Sequence, residues 1–252
     1  MSPQRSDTAP VSLVQRAMSV LSAFTGSSRA LSLSDIASKT NLPVSTTHRV
    51  VKELQRGGFL VRTPDKLYHV GTKLWLIAMQ APINDQLREA ALPALALLHE
   101  ATGQNVNLAV YDRGRTLYVD RIYTQRAVPT ISRAGDYLPL HTTGVGKCLL
   151  AFQPETEIEN YLSHPLTKPT NKSITDPEKL RAELLQIREQ GYSVAREEMS
   201  VGASAIGVPI LIGDRIVAAI GVVVSPDRLD IPSLVTQLKQ TAKDIAFRLQ
   251  YS

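Results

Sequence analysis

The chain has 252 residues, a length that suits two domains of ordinary size. Hydrophobic residues make up 43% of it and charged residues 20%, the composition of a soluble globular protein. The longest apolar run, Ile216 to Val224, has nine residues, about half of what a bilayer-spanning helix requires, so no membrane partner is expected. The single cysteine, Cys148, excludes an intrachain disulfide and a CxxC metal site.

Basic residues are concentrated in the amino-terminal third. Residues 1–80 contain ten Lys and Arg against four Asp and Glu, a net charge of +6, whereas residues 81–252 carry −1. A polyanionic partner is expected for the first part, because phosphate neutralisation supplies most of the non-specific affinity for nucleic acid. Charge alone leaves a solvated basic surface as the alternative.

The first predicted elements are an arm and two helices. Residues 1–10 are polar, contain two prolines and lack the apolar stretch of a secretory signal, which predicts a disordered arm and a cytoplasmic location. Apolar residues recur at helical spacing from Val11 to Phe24. Ser34 is the predicted cap of a second, short helix, and Asn41 supplies the tight turn after it.

A third helix with two different faces is predicted after Pro43, ending at the glycines 57 and 58. One stripe is suited to packing: Thr47, Val50, Val51 and Leu54. The opposite side carries polar groups that can donate to phosphates or to base edges in a major groove. The candidate DNA-binding residues on this helix are Ser45, Thr46, His48, Arg49 and Lys52.

A hairpin is predicted from two β-rich runs at 59–62 and 67–70, which flank a turn sequence at 63–66. Arg62 and Lys66, near its tip, are candidates for contacts with the DNA backbone or minor groove. The order of helix, helix, turn, polar-faced helix and basic hairpin predicts a winged helix-turn-helix over residues 11–71 that binds double-stranded DNA. A winged-helix module that binds no DNA is the alternative.

A linker helix is predicted over residues 72–82. Its stretch LWLIAM at 74–79 is apolar nearly all round, which indicates burial by a second subunit. A dimer on a two-fold operator is also expected, because a single three-helix module contacts only a few base pairs.

Residues 83–252 predict a domain of mixed α+β class, with an antiparallel sheet flanked by helices. A helix is expected up to Thr102, and further helices at 177–190 and 231–249. The predicted strands lie at 105–112, 116–122, 128–134, 192–197, 203–212 and 216–224.

Local strings in both parts resemble the IclR family of bacterial transcription regulators. The strings are LPVSTTHRVVKELQRGGFL at 42–60, LPLHTTGVGKCLLAF at 138–152, GYSVAREEMSVGASAIGVPI at 191–210 and VAAIGVVVSP at 217–226. The resemblance implies a winged helix ahead of a GAF-like effector-binding domain, and assembly as a homodimer or a dimer of dimers. It also implies effector-controlled repression or activation, of which repression is the expected sign.

The resemblance also points to an effector pocket. Family members that bind small oxoacids hold the carboxylate with Asp, Cys and two Ser, and the matching positions here are Ala195, Ala205, Gly221 and Val223. A buried carboxylate without partners is costly, so an aromatic or otherwise hydrophobic acid or amide is the expected small-molecule effector. The candidate effector-binding residues are Tyr137, Leu140, His141, Thr142, Gly144, Val145, Ala195, Ala205, Gly221 and Val223.

Two rival functions compete with this hypothesis. Cys148 and His141 suggest an enzyme with a nucleophile and its base, but an apolar helical pattern around a cysteine is more typical of an inert buried thiol. Glu197 and Glu198 are adjacent on a predicted strand and are expected to be surface charges rather than a catalytic pair. An effector-independent architectural DNA binder is the second rival. No catalytic residue, metal ligand or cofactor is assigned.

Overall fold

Residues 1–83 and 84–252 form separate units in the computed structural model. The structure describes residues 12–25, 30–78, 80, 84–124, 128 and 132–251. The arm predicted at residues 1–10 lies outside these. None of the helices in the described part of the chain combines the length and apolar character needed to cross a membrane.

The first unit begins with three helices, α1 (Leu13–Ser22), α2 (Leu33–Thr40) and α3 (Val44–Arg56). Capping boxes start the first two, formed by Ser12 with Gln15 and by Ser32 with Asp35. The prediction that Ser34 caps α2 is wrong. The Asp35 carboxylate accepts the backbone N–H of Ser32 at 2.9 Å, and this reciprocal pair fixes the start of the helix two residues earlier.

The predicted turn and hairpin are both present in the first unit. Asn41 ends α2 with a φ of 53°, and strand β1 (Leu60–Arg62) pairs antiparallel with β2 (Tyr68–Val70). Between them, the Lys66 N–H donates to the Thr63 carbonyl at 3.0 Å. Lys66 has a φ of 66°, the left-handed conformation that closes three-residue hairpin loops.

A short helix, α4 (Thr72–Ala78), follows the hairpin within the range predicted for the linker helix. The remainder of that range, apart from Gln80, lies outside the described residues. The core of the first unit joins the three helices to the hairpin, and its main members are Val20, Ile36, Val50, Val51, Leu60 and Tyr68.

An antiparallel sheet forms the centre of the second unit. Its strands are β3 (Asn105–Asp112), β4 (Arg115–Ile122), β5 (Tyr137–Leu138), β6 (Ser193–Ser200), β7 (Ala203–Ile212) and β8 (Arg215–Val224). They are hydrogen-bonded in the order β5-β4-β3-β8-β7-β6. The predicted α+β class is confirmed, because this sheet has helices packed on both of its faces.

Alternation along the strands assigns the helices to the two faces. Residues such as Ile206 and Ile220 pack with α5 (Asp85–Thr102) and α9 (Ile231–Tyr251) on one face. The opposite face, with Ala109 and Ala219, packs with α6 (Gly144–Ala151), α7 (Glu155–Leu162) and α8 (Pro177–Gln190). The sheet therefore separates two apolar cores.

The strand predicted at 128–134 is not found in its described part. Residues 129–131 lie outside the described residues, and Val128 and residues 132–134 are not in a strand. The chain instead turns just before β5, where the Asp136 N–H donates to the Arg133 carbonyl at 3.0 Å and Gly135 has a φ of 88°. Backbone bonds to β4 begin within this turn, where the Gly135 N–H donates to the Tyr118 carbonyl at 2.8 Å, and ladder pairing follows from Tyr137, opposite Leu117.

Candidate functional site

The exposed face of α3 carries the polar residues that the sequence predicts for DNA contact. Thr47, Val50 and Val51 are buried against the unit's core. The exposed members of the predicted set are Ser45, His48, Arg49 and Lys52, while Thr46 is half-buried. The ion pair described on this helix joins Arg56 to Glu53, so the described carboxylates leave Arg49 and Lys52 free for a phosphate or a base.

Both basic residues of the wing are exposed. The Arg62 guanidinium lies 5.5 Å from the centre of the Tyr68 ring, a cation–π contact that holds its stem against the hairpin. Lys66 occupies the left-handed position of the loop. Tyr68 itself is tied to the helical part of the unit by paired backbone hydrogen bonds with Leu31, so the hairpin is fixed at its base.

A cavity of about 400 Å³, counted with the solvent at its mouth, lies in the second unit. Its floor is one cross-strand row of the sheet, in which Ala205 of β7 lies between Ala195 of β6 and Val223 of β8. The remaining apolar lining residues are Leu138, Met199 and Ala203. The polar lining residues are Tyr118, Ser132, Thr142, Thr143, Glu198 and Ser200. This size and lining suit a compact ligand with an apolar body.

The next row on the same face of the sheet is occupied by α6 instead. There Gly207 lies between Ser193 and Gly221. A Cβ on Gly221 would lie 2.8 Å from Cγ1 of Val145, and one on Gly207 would lie 2.4 Å from the carbonyl oxygen of Gly144. The absent side chains therefore make room for the start of α6.

A buried ionic cluster lies beside the cavity. The Lys147 ammonium is fully buried and donates to Glu198 at 2.7 Å and to both oxygens of Glu183 at 2.8 and 2.9 Å. The surface role expected of Glu198 is wrong, because its side chain is only 6% exposed. Burial raises the pKa of the Glu198 carboxyl, and the nearby Lys147 ammonium opposes that rise.

Glu197 and Glu198 lie in an irregular part of strand β6. The pairing of β6 with β7 shifts between Arg196 and Ser200, and Glu197 has a φ of 54°. Glu197 forms an ion pair with Lys172 and accepts the Gly202 N–H. Because of the bulge, the two side chains have different partners, and Glu198 accepts a hydrogen bond from Lys147 at the edge of the cavity.

Four of the ten predicted effector residues line this cavity: Thr142, Ala195, Ala205 and Val223. The six others are not among its lining residues. Gly144, Val145 and Gly221 belong to the adjoining packing between α6 and the sheet. Leu140 is buried, and Tyr137 is exposed at the sheet edge, where its hydroxyl donates to Asp112 at 2.5 Å.

His141 faces a second, more open cavity of about 920 Å³, again counted with solvent. Its Nδ1 lies 2.6 Å from the Tyr161 hydroxyl and its Nε2 lies 2.8 Å from the Thr167 carbonyl. Burial lowers the pKa of His141. Because both ring nitrogens are occupied, His141 does not serve as a base for Cys148, whose pKa burial raises to about 12.

Several functional candidates in and beside the cavity were missed by sequence reasoning. The clearest are Glu198, Tyr118 and Met199, which line the cavity, and Lys147, which donates to Glu198 beside it. One signal for Lys147 is visible in the sequence, because it is the lone charge in the apolar helical segment GVGKCLLA. A lysine in such a segment requires a buried partner. The described residues contain no cluster of three potential metal ligands.

Two family models match the chain. The IclR helix-turn-helix domain matches residues 13–64. The bacterial transcriptional regulator IclR C-terminal domain matches residues 80–247. The matches cover most of both structural units.

Curated relatives match over nearly the full chain. The HTH-type transcriptional regulator XynR of Escherichia coli is 30% identical over 244 residues, covering 94% of this chain and 97% of XynR. The HTH-type transcriptional repressor AllR of the same organism is 30% identical over 243 residues, covering 94% of this chain and 89% of AllR. The families and relatives are transcriptional regulators and not enzymes.

Solved structures show the same architecture. An IclR homolog from Microbacterium hydrocarbonoxydans, complexed with 4-hydroxybenzoate, has a TM-score of 0.86 and 32% identity over 96% of this chain and 100% of that chain. The Thermotoga maritima IclR has a TM-score of 0.74 and 31% identity over 94% of this chain and 98% of its own.

Proposed function

Since this chain belongs to the IclR family of bacterial transcriptional regulators, we propose that it is a repressor whose dimer binds a two-fold operator and responds to an aromatic ligand. Family membership makes it a transcription regulator with a DNA-binding helix-turn-helix and an effector domain. Repression, operator symmetry and effector chemistry are the parts that we propose.

The observation that carries the DNA-binding half is the polar face of α3. Its exposed imidazole, guanidinium and ammonium groups at His48, Arg49 and Lys52 lie on one side of a helix whose other side is buried. A helix of this kind enters the major groove with its exposed face toward the base edges. The basic wing, with Arg62 and Lys66, supplies contacts to the neighbouring backbone.

The dimer is supported by exposed apolar side chains on α4. Trp75, Leu76 and Ile77 are 58%, 54% and 52% exposed within the single chain. Three consecutive large apolar residues exposed on one short helix favour burial by a partner. We propose that the partner is a second copy of the chain, in a homodimer or a dimer of dimers. Two DNA-binding units on a two-fold site bind the operator more tightly than one unit does.

The aromatic ligand is supported by the cavity. Its floor of Ala195, Ala205 and Val223 offers no polar group to hold a compact oxoacid, and these apolar side chains favour the burial of a ring. The Microbacterium homolog, which binds 4-hydroxybenzoate, is an independent reason to expect a one-ring compound.

Footprinting with the purified full-length protein tests the proposal as a whole. Protection of a two-fold site near its own gene is expected, with loss of protection when a panel of one-ring aromatic acids and amides is added. Absence of a protected site there or elsewhere in the genome contradicts DNA recognition. Protection that no aromatic compound changes contradicts the effector half and favours an architectural binder.

Substitutions on α3 and on the wing are expected to have different effects. Arg49→Ala and His48→Ala should each cost about 1–3 kcal/mol of operator binding and relax base discrimination, because they remove groups that face base edges. Lys66→Gly should weaken operator and random DNA about equally and lower the salt slope by about 1, because it removes a phosphate contact. Titrations of labelled DNA at several salt concentrations measure both effects.

The choice of glycine makes the Lys66 variant a clean control. Its φ of 66° suits glycine, so the substitution removes the charge without straining the loop. If all three variants lose the same factor on every sequence, the assignment of α3 to base recognition is wrong.

A further inference from the structure

One carboxylate oxygen of Glu198, a residue that lines the cavity, has no hydrogen-bond partner among the described residues. This oxygen, Oε2, is buried, whereas the other oxygen, Oε1, accepts from the Lys147 ammonium at 2.7 Å. A buried carboxylate oxygen without a partner costs free energy, and such atoms are rare in folded proteins.

Lys147 cannot reduce that cost further. Its ammonium has three N–H donors, and these donate to Glu198 Oε1 and to the two carboxylate oxygens of Glu183. Glu198 is itself a lining residue of the cavity, beside Ala195 and Met199, and none of the described residues donates a hydrogen bond to its Oε2. A ligand in the cavity is therefore the candidate donor for Oε2.

We propose that the effector is recognised through an N–H or O–H group that donates to Glu198 Oε2. This inference rests on the proposed function and narrows it, because it selects aromatic amides and phenols over ring compounds that present only acceptors. An aromatic carboxylate without another donor is disfavoured, because a carboxylate is only an acceptor and cannot donate to Oε2.

A matched pair of ligands isolates the donor. N-methylbenzamide and methyl benzoate have the same shape, and differ in that an N–H of the first is an ester oxygen in the second. Isothermal titration calorimetry on the full-length protein should give roughly 10- to 100-fold tighter binding of the amide, the range for a hydrogen bond to a charged group. Equal affinities for the two compounds would overturn the proposal.

Glu198→Gln should reverse the preference. Lysine is only a donor, so the glutamine carbonyl is expected to face Lys147 and the NH₂ group to face the cavity. The wall then offers a donor where the wild type offers an acceptor. Methyl benzoate should gain affinity in this variant, and N-methylbenzamide should lose it.

Glu183→Gln is the matched control. It removes the same charge from the same lysine, but Glu183 does not line the cavity. This variant should keep the wild-type order of affinities. A reversal in both variants, or in neither, would contradict recognition by Glu198.

The outcomes also separate this inference from the proposed function. If both compounds bind the wild type equally well, the aromatic effector stands and the donor requirement fails. If neither compound binds, and benzoate, 4-hydroxybenzoate and 4-hydroxybenzamide also fail to bind, the aromatic effector and the donor requirement both fall.

Discussion

Replacing Lys147 by methionine is expected to lower the free energy of unfolding of the second unit by about 3–5 kcal/mol at neutral pH. The substitution keeps the volume of the side chain but leaves the Glu198 carboxyl buried with no cation near it, so it has to stay charged without a partner or take up a proton. Glu183, whose side chain is 22% exposed, can be solvated in part, so most of the cost arises at Glu198. Urea unfolding followed by far-ultraviolet circular dichroism measures the loss.

The pH dependence of this variant has a defined sign. Burial already raises the pKa of Glu198, and removing the ammonium raises it further. A carboxyl whose pKa is higher in the folded state stabilises the fold below its unfolded pKa, and that contribution is lost as pH rises through the folded value. The deficit of Lys147→Met should therefore be smaller at pH 5 than at pH 7.

Arg181→Met provides the matched control. Arg181 also bridges two carboxylates, Glu155 at 2.7 Å and Glu159 at 2.6 Å, but all three side chains reach solvent. Loss of an exposed ion pair costs about 1 kcal/mol or less. If the two variants were equally destabilised, burial would not be the cause of the Lys147 effect.

Gly207→Ala is expected to destabilise the second unit by about 3 kcal/mol, the upper part of the range for overpacking. The added Cβ would lie 2.4 Å from the carbonyl carbon and oxygen of Gly144 and 2.7 Å from the Val145 nitrogen. These are backbone atoms, so relief requires α6 to move away from the sheet. Such a shift also disturbs the hydrogen bond from the Ser193 hydroxyl to the Gly144 carbonyl at 2.5 Å.

The control for this glycine lies at the turn between β7 and β8. Gly213 has a φ of 59°, and a Cβ added there would meet nothing within 4 Å, so Gly213→Ala tests backbone strain without a clash. A cost of about 1–2 kcal/mol is expected there. Thermal unfolding of both variants distinguishes a clash with α6 from backbone strain. If Gly207→Ala loses no more stability than Gly213→Ala, the close approach of α6 to the sheet is contradicted.

The sequence predicted the elements whose signals are local. The stripe of Thr47, Val50 and Val51 on α3 needed only helical spacing, and Asn41 needed only its tolerance of a left-handed backbone. The start of α2 was harder, because Ser32 and Ser34 are both good caps. The Ser32 N–H donates to the Asp35 carboxylate, and this bond selects Ser32 as the cap. The bond is visible only in the folded helix end.

The cavity was predictable only in part, because its wall depends on contacts between distant segments. Ala205 and Gly221 are both small and lie on neighbouring strands, yet Ala205 lines the cavity and Gly221 packs against Val145. Composition cannot separate these roles without the position of α6. Glu198 was assigned to the surface for the same reason, because its partner Lys147 is 51 residues away in sequence.

Cys148 gives the protein a practical advantage for spectroscopy. It is the single cysteine of the chain and is completely buried, and burial raises its pKa to about 12. A thiol in that state reacts slowly with maleimides and methanethiosulfonates. A cysteine introduced on the exposed wing would thus take up one label per chain under native conditions. In the proposed dimer, distances between the two labels would then report how far apart the two DNA-binding units lie, with and without ligand.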